Sequence, residues 1–375
     1  MRRLCFCVVV LMLCGSPAFG QATFHPLPAE YAGATFEARG ISADGNVIVG
    51  SSINSPDALR WTLSGGFEVL GAGIPFAASA DGSSVVGGGY NGGPQAFLWT
   101  EAGGMVSFPF CLGSNCGSYA SDVSGDGSAV VGSIGGLSFR WSAITGMVDL
   151  GNLSPQPNTS SSAASAVSAD GLTVIGTSES QAYRWSQGGG MAGLGYLPGT
   201  TSSVAADASA DGSVIVGSYL LGEVPFRWTE NLGMVALDTP CLACGGRAYA
   251  VSGDGSVTVG WSESAFSGPS GFPFIWDEVR GMQDVGQILV SHGIDLTGWS
   301  LGAAIGVSSD GFTILGAGQN PSGNPNYWVA SIPPPSAVPA SNAVSKGLLA
   351  LLLLAAGLPR LRAHVGTCHP IPTRT

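Results

Sequence analysis

Charge is what this chain has least of. Only 10% of its 375 residues are Asp, Glu, Lys or Arg. Between residues 21 and 332 there is no lysine, and histidine occurs only as His25 and His292. The seven arginines of that stretch (Arg39, Arg60, Arg140, Arg184, Arg227, Arg247 and Arg280) stand against twenty-four acids, a net charge of −17. Nucleic acid demands a basic footprint, so it is excluded as a partner. Long hydrophobic runs are missing too. The apolar stretches at 4–13 and 347–358 are shorter than a plain membrane-spanning helix. No Asp-x-Asp-x-Asp-Gly run supports a calcium loop. Helix periodicity is nearly absent before the last thirty residues. Disorder is excluded as well, because 45% of the chain is hydrophobic and its aromatics recur on a grid.

That grid is an internal repeat. Asp-Gly recurs at Asp44-Gly45, Asp81-Gly82, Asp126-Gly127, Asp170-Gly171, Asp211-Gly212, Asp254-Gly255 and Asp310-Gly311. Each pair is followed by a tryptophan: Trp61, Trp99, Trp141, Trp185, Trp228, Trp276 and Trp328. Seven copies with a period near forty residues indicate a propeller, solenoid or array. Within a copy, Asp-Gly between short apolar runs is a hairpin signal. The β-branched run after it reaches a glycine, such as Gly50, Gly87, Gly176, Gly217 or Gly260. A third strand follows in Phe139-Arg140-Trp141, Tyr183-Arg184-Trp185 and Phe226-Arg227-Trp228, with both aromatics on one face and Arg on the other. A Gly-Met step then opens a fourth strand, as at Gly146 and Gly233. Four strands per copy match a β-propeller blade. The fold expected is all-β, a seven-bladed propeller of four-stranded blades. The last copy ends after three strands, and the segment from Ala22 to Pro28 resembles the missing fourth. It is expected to complete the last blade and close the ring, removing open edges.

The ends read differently. Residues 1–20 have Arg2 and Arg3, a short apolar core and small residues before Gln21, the pattern of a secretory signal. Residues 21–332 carry the repeats, 333–346 a proline-rich linker, and 347–362 a Leu/Ala helix with Arg360 and Arg362 at its end, a pattern of a C-terminal sorting tail. Residues 363–375 have no assigned role. Cys111 with Cys116 and Cys241 with Cys244 fall at the same place in two repeats, after the fourth strand. In an exported protein they read as two local disulfides. A shared zinc site would need loops two or three blades apart to converge.

Copies such as Ala166-Val167-Ser168-Ala169-Asp170-Gly171 with Tyr183-Arg184-Trp185 and Gly190-Met191 resemble the bacterial extracellular HAF repeat family, over roughly residues 34–332. The tail resembles PEP-CTERM sorting signals, with Val338-Pro339-Ala340-Ser341 where Val-Pro-Glu-Pro is usual. The resemblance implies export, processing by an exosortase-like enzyme and a place at the bacterial surface or matrix, with extracellular polysaccharide or an envelope protein as partner. It implies no established activity and hence no catalytic residues to carry over, and no metal or cofactor is expected.

Two functional classes stay open on the residues. A binding module needs aromatics where other repeats are small. Trp261 follows the strand-ending glycine of its copy, Tyr219 and Tyr90 lie one or two places further on in theirs, and Trp299 sits in the insertion 284–300. Aromatic faces with polar rims suit sugar rings, though extra core packing is the simpler use of any one of them. A carbohydrate-active hydrolase or lyase would instead need an acid pair, from Glu223, Glu263, Asp277, Glu278 or Asp284. A structural spacer would show neither feature. The reading is a non-catalytic exported protein binding glycan or a partner through loops at one propeller face.

Overall fold

A computed structural model describes residues 21–53, 55–89, 95–108, 117–154, 161–219, 224–239, 245–263 and 271–333. The leader, the tail from residue 334 on, Tyr90, Cys111, Cys116, Cys241 and Cys244 lie outside the described residues. The described chain is all-β but for one short helix, Val285–Ser291, and has a β-propeller arrangement. No helix among the described residues is long and apolar enough to cross a membrane.

Each repeat becomes an antiparallel meander. The fourth one runs Ser162–Val167, Thr173–Ser178, Gln181–Ser186, Gly190–Gly193, each strand paired with the next. First strands of successive repeats lie against one another, which makes them the innermost layer. The pattern has local departures. A pairing of Tyr119 with Gly88 fuses the second and third repeats into one sheet, and a two-residue strand, Glu30–Tyr31, pairs with the first strand of the first repeat. The last repeat supplies Ser300–Val307, Thr313–Gln319 and Pro325–Ser331. Thr23–Pro26 takes the fourth place, with Phe24 opposite Ala330 and His25 opposite Val329.

The Asp-Gly hairpin is a larger device than the pair alone. Every copy reads Ser-x-Asp-Gly, at Ser42, Ser79, Ser124, Ser168, Ser209, Ser252 and Ser308. In each, the serine hydroxyl donates to the aspartate and accepts the amide five residues on, as with Ser168, Asp170 and Thr173. The aspartate also accepts the amide two residues beyond itself. The small residue between Ser and Asp joins neighbouring turns. Ala80 donates to Gly125, Gly125 to Ala169, Ala169 to Ala210, Ala210 to Gly253, Gly253 to Ser309, Ser309 to Ala43, and Asp44, next to Ala43, to Ala80. The series returns to its own start.

Apolar packing follows the same succession. One buried cluster joins the fourth and fifth repeats through Ile175, Ala182, Ile215 and Phe226, and another joins the seventh and first through Leu315, Phe36, Ile48 and Leu59. In the third strand the aromatics face the preceding repeat, and the arginine reaches the following one. Arg60, Arg140, Arg184 and Arg227 donate to the carbonyls of Gly82, Gly171, Gly212 and Gly255, each in the next turn. Cross-strand pairing sets Trp141 against Met147 and Trp228 against Met234, which accounts for the Gly-Met step.

The strand-ending glycines in fact lie inside the second strand, and at Gly87, Gly176, Gly217 and Gly260 the third-strand aromatic crosses directly over them. A Cβ on Gly217 would meet the Phe226 ring, and one on Gly316 would meet the Trp328 indole. The last repeat also corrects the tryptophan grid. Trp328 pairs with Gly316, the place Phe139 holds opposite Gly132, while Ala330 stands where Trp141 would. It is completely buried and belongs to the Phe series of the repeat.

Replacing one turn serine, such as Ser209→Ala, removes an acceptor for the buried Val214 amide and a donor to Asp211. It should cost about 1–2 kcal/mol in denaturant unfolding, with the exposed Ser213→Ala as a near-neutral control.

Candidate functional site

The meander gives the two ends of the strands different characters. At one end lie the Ser-x-Asp-Gly turns and the short turns between third and fourth strands, nearly uniform from copy to copy. At the other end lie the connections from second to third strands and from fourth strands to the next repeat. These differ in length and sequence, and one contains the helix Val285–Ser291. Variation concentrated at one end is what a scaffold presenting a recognition face shows.

At that end a cleft of about 740 Å³ opens between the sixth and seventh repeats. One wall is Arg247, Tyr249 and Trp261. Arg247 pairs directly with Trp261 across strands Gly246–Val251 and Thr258–Ser262. Tyr249 shares the face of Arg247, alternating with buried Ala248 and Ala250. The opposite wall is Gly302, Ala303, Ala317 and Gly318, and Ser300, Gln319 and Pro325 complete the rim. Trp261 stands where other copies carry Ser51, Gly88, Ser133, Thr177, Ser218 and Ala317. The volume lies in the range of small-molecule sites.

Of the other aromatics expected here, the described Trp299 and Tyr219 are not among the residues lining this cleft. Trp299 packs edge-on to Phe24 at 5.2 Å, within the cluster beneath Val285 and Leu289. Tyr219 packs against the cluster between the fourth and fifth repeats. The described acids of the enzyme reading have structural partners: Glu263 accepts the Gly245 amide, Asp277 binds Arg280, Glu278 pairs with Arg227, and Asp284 caps the helix. Glu223 lies outside the described residues. Helix formation within the insertion was not expected, and the Asp284 side chain is its start signal, accepting from Gly286 and Gln287.

A second cavity, about 640 Å³, lies at the turn end, lined by His25, Asp44, Arg60, Trp61, Asp81 and Thr313 among others. Most of these are turn and third-strand residues already engaged in the repeat, and of those named His25 is the one the repeat does not explain. His292 ends the helix as its C-cap. Among the described residues no three His, Cys, Asp or Glu gather as a metal site.

An acid pair does occur, at residues the sequence reading passed over. Two places before the turn serine, the copies carry Gly40, Ala77, Asp122, Ala166, Asp207, Ala250 and Gly306. Each follows a bulge in the innermost strand. Asp122 accepts from the Val167 amide of the next repeat and from Val123. Asp207 accepts from Val251 of the next repeat and from Ala208. Beside Asp122, Ser121 donates to Ala164, so both residues fasten one inner strand to the next. Both carboxylates retain partial solvent contact although protein surrounds them. Enclosure pushes Asp122 up to about 7, against its amide bonds, and the nearby Asp207 charge adds to the rise. Enclosure alone raises Asp207 to about 6.

No protein-family model matches the chain, and no curated protein matches it. Solved structures do. A streptogramin B lyase is 12% identical with a TM-score of 0.56, over 84% of this chain and 99% of that one. Virginiamycin B lyase from Staphylococcus aureus is 13% identical with a TM-score of 0.54, over 83% and 99%. The β-propeller domain of Swd1 from Myceliophteria thermophila is 10% identical with a TM-score of 0.54, over 83% and 100%. At such identities these likenesses establish the propeller scaffold alone.

The aspartates set opposing pH limbs. An unfolded aspartate titrates near 3.9. Asp122 and Asp207 therefore contribute stability that is full below about pH 4 and lost as the pH rises through about 6 to 7. Turn carboxylates Asp81 and Asp211 are held down to about 2 by serine and amide donors. Their contribution is present above about pH 4 and lost as the pH falls through about 2. Stability should peak at mildly acidic pH. The double variant Asp122→Asn, Asp207→Asn should flatten the decline between pH 5 and 8 by roughly 2 kcal/mol. An unchanged decline in urea titrations would contradict this assignment.

Proposed function

We propose that residues 21–332 form a closed, seven-bladed propeller, exported from a bacterial cell, that binds glycan without turning it over. The cleft at Trp261 carries the reading. It is a stacking surface placed where other copies have small side chains, on the variable end of the scaffold, with polar atoms around it. Closure is supported by the series of turn hydrogen bonds returning from Ser309 to Ala43, by the cluster shared between the seventh and first repeats, and by the place of Thr23–Pro26 in the last sheet. Export, two loop disulfides at Cys111–Cys116 and Cys241–Cys244, and an exosortase-like partner for the tail belong to the same reading. They rest on the sequence patterns and the resemblance to HAF-repeat proteins.

A specific observation favours a second reading, a carbohydrate-active hydrolase or lyase. Asp122 and Asp207 are interacting carboxyls with raised pKa values in the inner layer, where catalytic acids of a propeller enzyme would sit. Both also fasten inner strands, which is a sufficient structural use.

A glycan array followed by calorimetry, with product analysis of every positive sample, separates the two. Glycan binding is expected to saturate, to fall about tenfold or more in Trp261→Ala, and to release no fragments. Fragments that disappear in Asp207→Asn would establish the enzyme reading instead.

A further inference from the structure

The last repeat lacks the arginine that fastens four of the others to their neighbours. Register places Val329, opposite Leu315, where Arg140 stands opposite Val131 and Arg184 opposite Ile175. In those repeats the guanidinium reaches the glycine carbonyl of the next turn. Arg184 also donates to Thr173, which is buried. Thr313 holds the same place in the last repeat but is only half-buried, and Gly45 sits against it as Gly212 sits against Thr173. Residues 300–332 contain no arginine, so the Gly45 carbonyl receives none from the sheet before it. The second and sixth repeats lack the arginine too, but carry Leu98 and Ile275 there, opposite Val86 and Val259. Val329 is smaller than either. A cavity of about 640 Å³ opens beside it, with Val329, Thr313, Ser331 and Gly45 in its lining.

We infer that this cavity takes a guanidinium from a ligand, carried by a small guanidino compound or by an arginine of a peptide. The group takes the place of the missing repeat arginine and donates to the Gly45 carbonyl. The inference does not depend on glycan binding at the other end of the sheets. Further lining groups fit the same cation. Asp44 and Asp81 bring two carboxylates, and Trp61 brings an aromatic ring. A planar guanidinium can donate to a carbonyl and a carboxylate at once and can lie on an indole face. A compact ammonium matches that arrangement less well. His25 stands directly opposite Val329, where other fourth strands carry Val148 and Val235 opposite their arginines. Its imidazole gives the lining a flat polar ring in place of a valine. Arg60, which also lines the cavity, is already bound to the Gly82 carbonyl and to Glu68. The net charge of −17 over residues 21–332 draws cations towards the protein, so binding should weaken as salt is added.

Calorimetry on the full chain tests this with two matched sets of probes. One is arginine blocked as its acetyl methylamide, beside the citrulline and lysine counterparts. The other is agmatine beside its ureido analogue. At least one guanidinium form should bind saturably and roughly tenfold or more tightly than its urea counterpart, which keeps the shape and loses the charge. Blocked lysine should bind more weakly than blocked arginine. Tighter binding of blocked arginine than of agmatine would identify a peptide as the source, and the reverse a free small molecule. Val329→Arg supplies the missing side chain from within and should abolish binding, with circular dichroism confirming the fold. Val329→Leu, which copies Leu98 of the second repeat, and Asp44→Asn should each weaken it, and they carry the test if Val329→Arg does not fold. Citrulline or lysine forms that bind as tightly as the arginine form would overturn the guanidinium assignment. Binding untouched by the Val329 variants would overturn the cavity as the site. Failure of every guanidinium compound to bind would overturn the inference as a whole.

Discussion

Everything in this molecule hangs from the hydrogen bonds that pass from one Ser-x-Asp-Gly turn to the next. A repeat of this size cannot bury its own apolar faces, so each sheet depends on its neighbours for a core. The turn settles their spacing. Serine and aspartate hold the loop rigid from within, freeing the backbone of the residue between them to bond outward. That residue is always Ala, Gly or Ser. At Gly253 the space is so tight that a Cβ would collide with Ser309, and at Gly125 one would crowd Ala169. The arginine bolts of four repeats and the shared apolar clusters then act on sheets already set in place.

A turn layer so constrained leaves most variation to the other end of the strands. There bonds such as Ser162 to Gly136 and Ser203 to Ser180 still join neighbouring repeats, but no turn motif recurs in every copy, and the connections differ in length and sequence. The cleft at Trp261 arises from one local departure, a large aromatic where the repeat is small, set against a facing sheet that has small residues at Gly302, Ala303, Ala317 and Gly318. Asp122 and Asp207 are departures of another kind, placed in the inner layer where most copies have Gly or Ala. Their amide bonds to the next strand stabilise the ionised form while enclosure disfavours it, which leaves them close to a balance near neutral pH.

Much of this was legible in the sequence, because the repeat writes its own geometry many times over. Strand order, the aromatic and arginine faces, and the use of an N-terminal strand in the last sheet all follow from period-two patterning and turn chemistry. What escaped had a physical cause in each case. Trp328 fits the tryptophan spacing but pairs two places away from it, and only the register shows that Gly316 lies beneath it. Trp299 looked like an exposed insertion residue, yet the N-terminal strand brings Phe24 against it. Arg247 and Tyr249 carried no motif, and only the fold sets them in one cleft with the small residues of another repeat. Asp122 and Asp207 did leave a signal, as the acidic exceptions in a column of Gly and Ala, visible once copies are aligned on the turn serine.

Native-state hydrogen exchange at the turn amides tests the closed ring most directly. The amides of Asp44, Ala80, Gly125, Ala169, Ala210, Gly253 and Ser309 should share one high protection, lost together with global unfolding. If the amides of Asp44 and Ser309 instead exchange through low-energy local opening while the others stay protected, the seventh and first repeats do not close the ring.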